Sequence, residues 1–482
     1  MAATSVSLGD VGESRQHLGS TDAVDARSLT SIVLPMVAVG LVLRLVVASF
    51  VFGSVADPAD GHGNFGWELG WTARSIALGH GFGSPFVPFT GPTALVPPLF
   101  TYVLAGIFKF FGLYTREAAF ATLALDSIFS ALTCIPLYLS TRHSLGAKAA
   151  RWAGWAWVVY PYAVYFSAGI VWEFALTGLL FALCFWRAQT LDRKRSLRSW
   201  IGFGLLCGVT ALSNPSTLPV TGLLLLLAAW RAGRWSIASW MRAAVGALAL
   251  ASVLAPWTVR NYKVMHILCP MRDGFWLEFW AGNAGDSSQS NPPWAHPASN
   301  PVEMQRYQQL GETAYMASKH AMAVQFVSTH PKWFVVVTGR RIFRYWTGFW
   351  SFSRSYLQGQ PLDVPNFFLC TALTGGMLLG AFRWLQWARW EHSSRHLLAP
   401  YMIALLVFPL PYYVTHASMD YRQPIESVIL VMVVAGFALR RERPVLEALS
   451  LDRGPEYEEV LVAEEEDAPV PAYVSAGWDA AG

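Results

Sequence analysis

Acidic side chains that could take part in catalysis are few, and two of them stand next to apolar runs. Glu68 lies in a polar stretch, 53–116, where apolar residues follow it at helical spacing up to Gly79, a residue type that often ends a helix. In the first turn of that helix, a carboxylate either caps the helix or serves as a general base. Glu173 starts a later apolar run, so it is either a second catalytic carboxylate or an acid at the end of a membrane span.

The elements that must position these carboxylates are membrane-spanning helices. Of the 482 residues, 54% are hydrophobic and only 14% are charged, whereas about a quarter of an ordinary soluble domain is charged. This composition excludes a cytosolic enzyme and a disordered chain, and it predicts an all-α polytopic membrane protein. The five cysteines are scattered without metal-type spacing, so they predict neither a metal site nor a disulfide framework.

Hydropathy predicts ten transmembrane helices, since about 20 apolar residues cross a bilayer. The predicted spans are Ser31–Val51, Ala118–Leu139, Trp152–Ala168, Val171–Trp186, Trp200–Ser213, Leu218–Trp230, Ala243–Trp257, Phe367–Phe382, Leu398–Tyr413 and Pro424–Leu439. Placing every basic loop in the cytoplasm puts both termini inside. The basic side chains flank apolar runs, which is typical of membrane topology and indicates no nucleic-acid partner.

Two long segments then face outward, 53–116 and 258–366. Within the first, Pro97–Phe111 is apolar but short for a span, so we predict a helix that lies at the outer interface. Within the second, Trp333–Trp350 mixes arginines with aromatic residues, which favours an interfacial amphipathic helix over a catalytic segment.

The chain therefore divides into three parts. Residues 1–30 form a cytoplasmic N-terminal tail, 31–440 form the membrane domain, and 441–482 form an acidic cytoplasmic tail whose composition predicts disorder. We expect the protein in a bacterial-type inner membrane, with its polar outward segments carrying the function.

The first outward segment resembles a loop of known membrane enzymes. Glu68, Ala73 and the run Gly79-His80-Gly81-Phe82 are similar to the first outer loop of the polyprenyl-phosphate-dependent glycosyltransferases of the GT-C fold. These include the protein O-mannosyltransferases and the lipid A aminoarabinose transferase, and the likeness is to glycosyltransferase family 39. It continues, from about Arg44 to Arg440, through Gly91-Pro92-Thr93-Ala94, Pro97–Tyr102, Tyr160-Pro161, Glu173, Pro256–Tyr262, Gly282-Asn283 and Tyr421–Pro424.

The resemblance implies a GT-C-like fold and a sugar transfer at the outer membrane face. The donor would be a sugar on a polyprenyl phosphate, and the acceptor a lipid, a glycan or a protein. Glu68 would be the general base and Glu173 its supporting carboxylate. The implied substrate-binding residues are Arg74, His80, Arg260, Asn261, Asn283, Tyr421 and Arg422. Two glutamates do not define a metal site, so a divalent cation is left open as a cofactor.

Two positions depart from the family pattern. Glu68 stands where the family usually has Asp, and Val96 stands where it often has Arg or Lys. Another arginine must then bind the donor phosphate, with Arg74, Arg260 and Arg422 as the candidates. Asp57 and Asp60, in a turn rich in Pro and Gly, are rival acids.

Two other functions compete with glycosyl transfer. A lipid-linked-sugar flippase or transporter would need ionisable residues inside the spans, and Asp126 is the only acid near the middle of one. That residue is better explained as a hydrogen-bonding partner between helices. An accessory membrane protein with a degenerate site is the second competitor, because Val96 removes an expected basic residue.

Overall fold

The computed structural model describes residues 26–86, 89–194, 196–284, 294–360, 362–390 and 392–439. Every regular element in these residues is a helix, which confirms the all-α class. The predicted N-terminal tail up to Asp25 and the predicted acidic tail 441–482 lie outside the described residues.

Eighteen α-helices follow one another along the described chain. The first nine are α1 (Ala26–Val55), α2 (Trp67–Ala77), α3 (Pro98–Phe111), α4 (Arg116–Leu132), α5 (Cys134–Val158), α6 (Pro161–Ala168), α7 (Phe174–Leu191), α8 (Leu197–Ser213) and α9 (Thr217–Gly233). The others are α10 (Ile237–Met265), α11 (Phe275–Asn283), α12 (Pro301–Thr329), α13 (Pro331–Thr347), α14 (Arg354–Gly359), α15 (Asp363–Trp390), α16 (His392–Val407), α17 (Leu410–Val414) and α18 (Glu426–Ala438).

Seven helical segments of the described chain are long and apolar enough to cross a membrane. They are Leu29–Val55, Arg116–Val158, Phe174–Leu191, Ile237–Met265, Asp363–Arg389, Arg395–Val414 and Met419–Ala438. Three shorter apolar helices, α3, α8 and α9, accompany them. The protein is thus a multi-pass membrane protein, and the count of ten spans stays a prediction.

The segment Arg116–Val158, 43 residues long, folds back on itself at Gly146. Gly146 has φ 85°, a left-handed conformation that glycine adopts without the steric cost of a Cβ atom. On either side of the turn the two arms pair antiparallel. The indole of Trp157 donates to the carbonyl of Ser130 at 2.8 Å, and the thiol of Cys134 lies 4.0 Å from the carbonyl of Gly154. One predicted span therefore ends, and the next begins, at this basic turn.

The first outward segment packs against α1 and α4, since one buried cluster joins its side chains with Ala48 of α1 and Leu123 of α4. α2 and α3 form where helices over Trp67–Leu78 and Pro97–Phe111 are predicted. Leu69 and Ala73 of α2 belong to one buried cluster with Phe100 and Leu104 of α3. This packing fixes the first turn of α2, which carries Glu68, against the membrane domain.

The second outward segment is helical as well. α13 (Pro331–Thr347) covers most of the range predicted as an amphipathic helix, and Val335, Val336 and Phe343 are exposed on it. α12 reverses direction at Gly311, so that Glu303 on its first arm meets Lys319 on its second arm at 2.5 Å. The orientation of these helices relative to the bilayer stays a prediction.

Candidate active site on the outward segments

Glu68 is held in a half-closed environment by a histidine from the second outward segment. Its carboxylate Oε1 lies 3.5 Å from Nε2 of His296, and the two side chains are only 17% and 6% exposed. The backbone N–H of Ala298 donates to Nδ1 of His296 at 3.2 Å, so the other ring nitrogen, Nε2, faces Glu68. The arrangement places one imidazole next to the Glu68 carboxylate.

The environment raises the pKa of Glu68 above its ordinary value. Burial is the main cause, and His296 works against it; the negative charge of Glu278 adds a smaller increase, and Arg272 a smaller decrease. A carboxylate with a raised pKa binds a proton more strongly, so it is a better base near neutral pH than a solvated glutamate.

The loop before Glu173 meets the loop before Glu68. The backbone of Gly66 contacts the carbonyl of Val171, where a Cβ atom on Gly66 would lie 2.9 Å from that oxygen, and Trp67 packs edge-on against Trp172 with ring centroids 6.3 Å apart. Glu173 follows directly and is 2% exposed, with its Oε2 lacking a hydrogen-bond partner. Burial raises its pKa to about 7. The predicted pair of carboxylates therefore starts from adjoining stretches of backbone.

A third glutamate, from the second outward segment, joins this group. Glu278 on α11 lies 3.7 Å from a guanidinium nitrogen of Arg272 through Oε1 and 3.1 Å from Nδ1 of His416 through Oε2. The other ring nitrogen of His416 lies 2.6 Å from the hydroxyl of Tyr421. The charge of Arg272 also has a small lowering effect on the pKa of Glu68 and of Glu173.

Sequence reasoning missed Arg272, Glu278, His296 and His416. One signal was present: Glu278 is a lone acid in a short aromatic helix, Phe275–Asn283, and an acid in such a helix needs a partner. The two histidines carry no comparable signal, because each meets its glutamate only through tertiary packing.

Tyr421 is the predicted binding residue that the structure brings into this group. Arg74 and His80 lie beyond it, on either side of the exposed ring of Phe89. The guanidinium carbon of Arg74 is 5.2 Å from the Phe89 ring centre and 5.7 Å from that of Trp71. The exposed ring of His80 meets Phe89 at 4.9 Å. Their predicted contacts with substrate stay predictions.

Arg260 and Asn261 hold loops in place. Arg260 donates to the carbonyls of Thr93 at 2.6 Å and Phe82 at 2.5 Å, and to the side-chain oxygen of Asn261 at 2.9 Å. The amide of Asn261 donates to the carbonyl of Cys269 at 2.8 Å. The guanidinium of Arg260 is thus engaged with the first outward segment, and its predicted contact with a lipid phosphate stays untested.

Asn283 and Arg422 are also engaged internally. Asn283 accepts a hydrogen bond from Arg341 at 3.0 Å and donates to the carbonyl of Val414 at 2.8 Å. Arg422 is fully buried, and its Nε donates to Glu426 at 2.6 Å. Tyr160 also donates to this glutamate. A fully buried, ion-paired arginine is poorly placed to meet a phosphate that arrives from the lipid.

The two rival acids, Asp57 and Asp60, lie at one short turn. Asp57 is exposed and caps a short 3-10 turn by accepting from the N–H of Ala59 at 2.9 Å. Asp60 belongs to the same turn. Val96 is buried in the cluster beneath α2. Asp126 is fully buried and interacts electrostatically with Glu173.

Within the described residues, no group of three His, Cys, Asp or Glu side chains is arranged to hold a metal ion. Each carboxylate near the site that has a close polar partner is paired with a histidine or an arginine. The divalent cation that the sequence leaves open as a cofactor stays untested.

The overall architecture matches a solved membrane enzyme. The structure superposes on the apo oligosaccharyltransferase of Archaeoglobus fulgidus with a TM-score of 0.51 at 12% sequence identity, over 89% of this chain and 52% of that chain. This chain has the GT-C fold. It spans about half the length of the archaeal enzyme, and an identity this low shows the fold alone.

Other solved proteins align with the GT-C chain less closely. AglB from the same archaeon, in complex with an inhibitory peptide and a dolichol-phosphate, has a TM-score of 0.49 at 13% identity, over 93% of this chain and 52% of that one. ArnT from Cupriavidus metallidurans bound to undecaprenyl phosphate has a TM-score of 0.37 at 14% identity, over 85% and 78%. Neither protein-family models nor curated proteins give a match to the sequence.

Proposed function

We propose that this protein is a membrane glycosyltransferase that moves a sugar from a polyprenyl-phosphate donor to a lipid, glycan or protein acceptor at the outer membrane face. The observation that carries the proposal is the position of Glu68, whose largely buried side chain lies beside His296. The loop before Glu68 meets the loop before Glu173, and both glutamates lie outside the apolar spans. The GT-C fold, shared with an oligosaccharyltransferase, supports the same class of reaction.

The residues suit an in-line displacement at a sugar carbon. The acceptor hydroxyl gives its proton to the carboxylate of Glu68 while its oxygen forms a bond to the anomeric carbon. The bond from that carbon to the phosphate oxygen breaks, and the electron pair leaves with the lipid phosphate. The raised pKa of Glu68 favours the proton transfer, and the ionised form of Glu173 would support the positive charge that builds up on the sugar.

The leaving phosphate needs a fixed positive charge, and Arg272 is the guanidinium best placed to supply it. Its side chain is 29% exposed and stands among the carboxylates of the site. Arg260 and Arg422 already donate to protein groups, whereas Arg74 contacts aromatic rings at the edge of the same segment. A guanidinium fork matches phosphate oxygens in two hydrogen bonds, which suits Arg272 for this task.

The test is transfer of a radiolabelled sugar from a polyprenyl-phosphate donor by purified variants. Glu68→Gln keeps the shape of the side chain and removes the base, so the rate should fall about 100- to 10,000-fold while donor binding persists. Glu68→Asp should keep part of the activity. Asp57→Asn, which alters an exposed cap, is the matched control and should transfer at the wild-type rate.

The competing functions give different results in the same preparation. An inactive wild-type protein that moves a lipid-linked sugar between the leaflets of liposomes would be a transporter. Wild-type transfer by Glu68→Gln together with an inactive Asp57→Asn would place the base on the wrong acid.

A further inference from the structure

The surroundings of Glu278 lower its pKa, whereas the surroundings of Glu68 raise the pKa of that residue. It stands between Arg272, at 3.7 Å, and His416, at 3.1 Å, and its side chain is 23% exposed. His416 is itself held by the hydroxyl of Tyr421, 2.6 Å from its other nitrogen. Both ring nitrogens of His416 therefore have a polar neighbour, Glu278 at Nδ1 and Tyr421 at Nε2, so the ring is fixed in one orientation.

This geometry separates the protonation of the two glutamates. Burial alone would raise the pKa of Glu278, but His416 and Arg272 outweigh it and lower the pKa to about 2. Burial raises the pKa of Glu68, and the charge of Glu278 raises it further. Neighbouring carboxyl groups whose environments push their pKa values apart are typical of sites where one group carries the proton and the other stays charged.

We infer that Glu278 supplies the constant negative charge of this site, facing the sugar as positive charge develops, so that Glu68 alone exchanges a proton. The inference rests on the proposed glycosyl transfer and adds a residue to it. Glu278 forms no bond and takes no proton during the displacement. It stabilises the charge on the sugar and, at the same time, makes Glu68 a stronger base.

The groups that face Glu278 come from several elements. Arg272 lies in the turn before α11, His416 and Tyr421 follow α17, and His296 and Glu68 belong to the two outward segments. Since Arg272 also acts on Glu173, the charge of Glu278 is balanced locally by one guanidinium shared among three carboxylates.

The decisive variant is Glu278→Gln, which keeps the size and removes the charge. Because Glu68 must be ionised to accept a proton, the rate rises with pH through its pKa. Without the charge of Glu278 that pKa falls, so the acid limb of the kcat profile should move to lower pH while the maximal kcat drops about 100-fold. Glu117→Gln, which removes an exposed acid at the start of α4, should leave both the limb and the rate unchanged.

A second measurement does not depend on activity. Infrared titration follows the C=O band of protonated Glu68, assigned by its loss in Glu68→Gln, in the wild-type protein and in folded Glu278→Gln. The midpoint should fall in the variant, and Glu278→Asp should restore most of the wild-type value. If wild-type protein transfers no sugar, the proposed function fails, and this titration still reports the coupling.

Two outcomes would overturn the inference. A midpoint that stays in place or rises in Glu278→Gln would show that Glu278 places no charge near Glu68. A lowered midpoint together with a wild-type maximal kcat in Glu278→Gln would show that the charge of Glu278 raises the pKa of Glu68 but does not contribute to the transfer.

Discussion

At the scale of single residues, chemically similar side chains have different tasks because their partners differ. Arg260 directs its guanidinium to backbone carbonyls and Arg422 to a buried glutamate, while Arg272 keeps an exposed portion among the carboxylates. A guanidinium that already donates to buried acceptors loses those hydrogen bonds if it turns to a ligand. The arginine best suited to bind a phosphate is therefore the one whose guanidinium is not already donating to buried acceptors.

This difference predicts separate effects for Arg272→Gln and Arg260→Gln. Arg272→Gln should raise the KM for the polyprenyl-phosphate donor about 10- to 100-fold, the range expected for one lost charged hydrogen bond, and leave the melting temperature nearly unchanged. Arg260→Gln should lower the melting temperature by several degrees, because it frees the carbonyls of Thr93 and Phe82. Steady-state kinetics and thermal unfolding in detergent measure the two effects. The reverse pattern would assign the phosphate to Arg260.

At the scale of elements, the site depends on a close approach between the start of α2 and the residues before α7. Gly66 has φ 92° and lies against the carbonyl of Val171, so a larger residue would separate the two loops. Hydrogen bonds to α12 also hold the first outward segment in place. Glu312 of α12 accepts from the N–H of Ala94 at 2.6 Å, and Thr93 also donates to it. Helices from both outward segments thus hold Glu68 in position.

Gly66→Ala should therefore impair transfer more strongly than a glycine substitution elsewhere in the same segment. The new Cβ atom would meet the Val171 oxygen at 2.9 Å and shift Glu68 away from Glu173, so we expect kcat to fall about tenfold or more. Gly79→Ala is the matched control: φ is 86° and no atom lies within 4 Å of the added carbon, so it carries the backbone strain alone. Equal losses in both variants would mean that the loop contact is unimportant.

At the scale of the whole molecule, the antiparallel turn at Gly146 determines which residues share a membrane side. It places Arg142, Lys148 and Arg151 together at the tip of a hairpin, away from α2 and α3. Basic residues gather on the cytoplasmic side of membrane proteins. This rule predicts that the carboxylates of the candidate site lie on the opposite side of the membrane.

Reporter fusions test this arrangement. A fusion after Arg151 or Arg198 should give a cytoplasmic signal, and one after Ser84 an exterior signal, because the hairpin returns the chain to the outer face before α7. Alkaline phosphatase and green fluorescent protein read the two sides. An exterior signal after Arg151 would mean that Pro98–Phe111 crosses the membrane and that every later span has the opposite direction to the one predicted.

The sequence by itself determined the helical class, the apolar segments and the helices α2 and α3, and it placed Glu68 in the first turn of α2. These features are local: hydropathy, helical spacing and a first-turn carboxylate are visible within windows of about 20 residues. The backbones two residues before Glu68 and Glu173 meet at Gly66 and Val171, while the pairing of the two carboxylates stays a prediction.

Only the tertiary structure decided which polar side chains meet. His296 is more than 200 positions from Glu68, and His416 more than 100 from Glu278, so no periodicity connects them. Tertiary packing also decided that Arg260 donates to backbone carbonyls and Arg422 to a buried carboxylate, while their predicted phosphate contacts stay untested. The physical reason is that burial and pairing set the charge and the availability of a side chain, and both depend on residues far away in the chain.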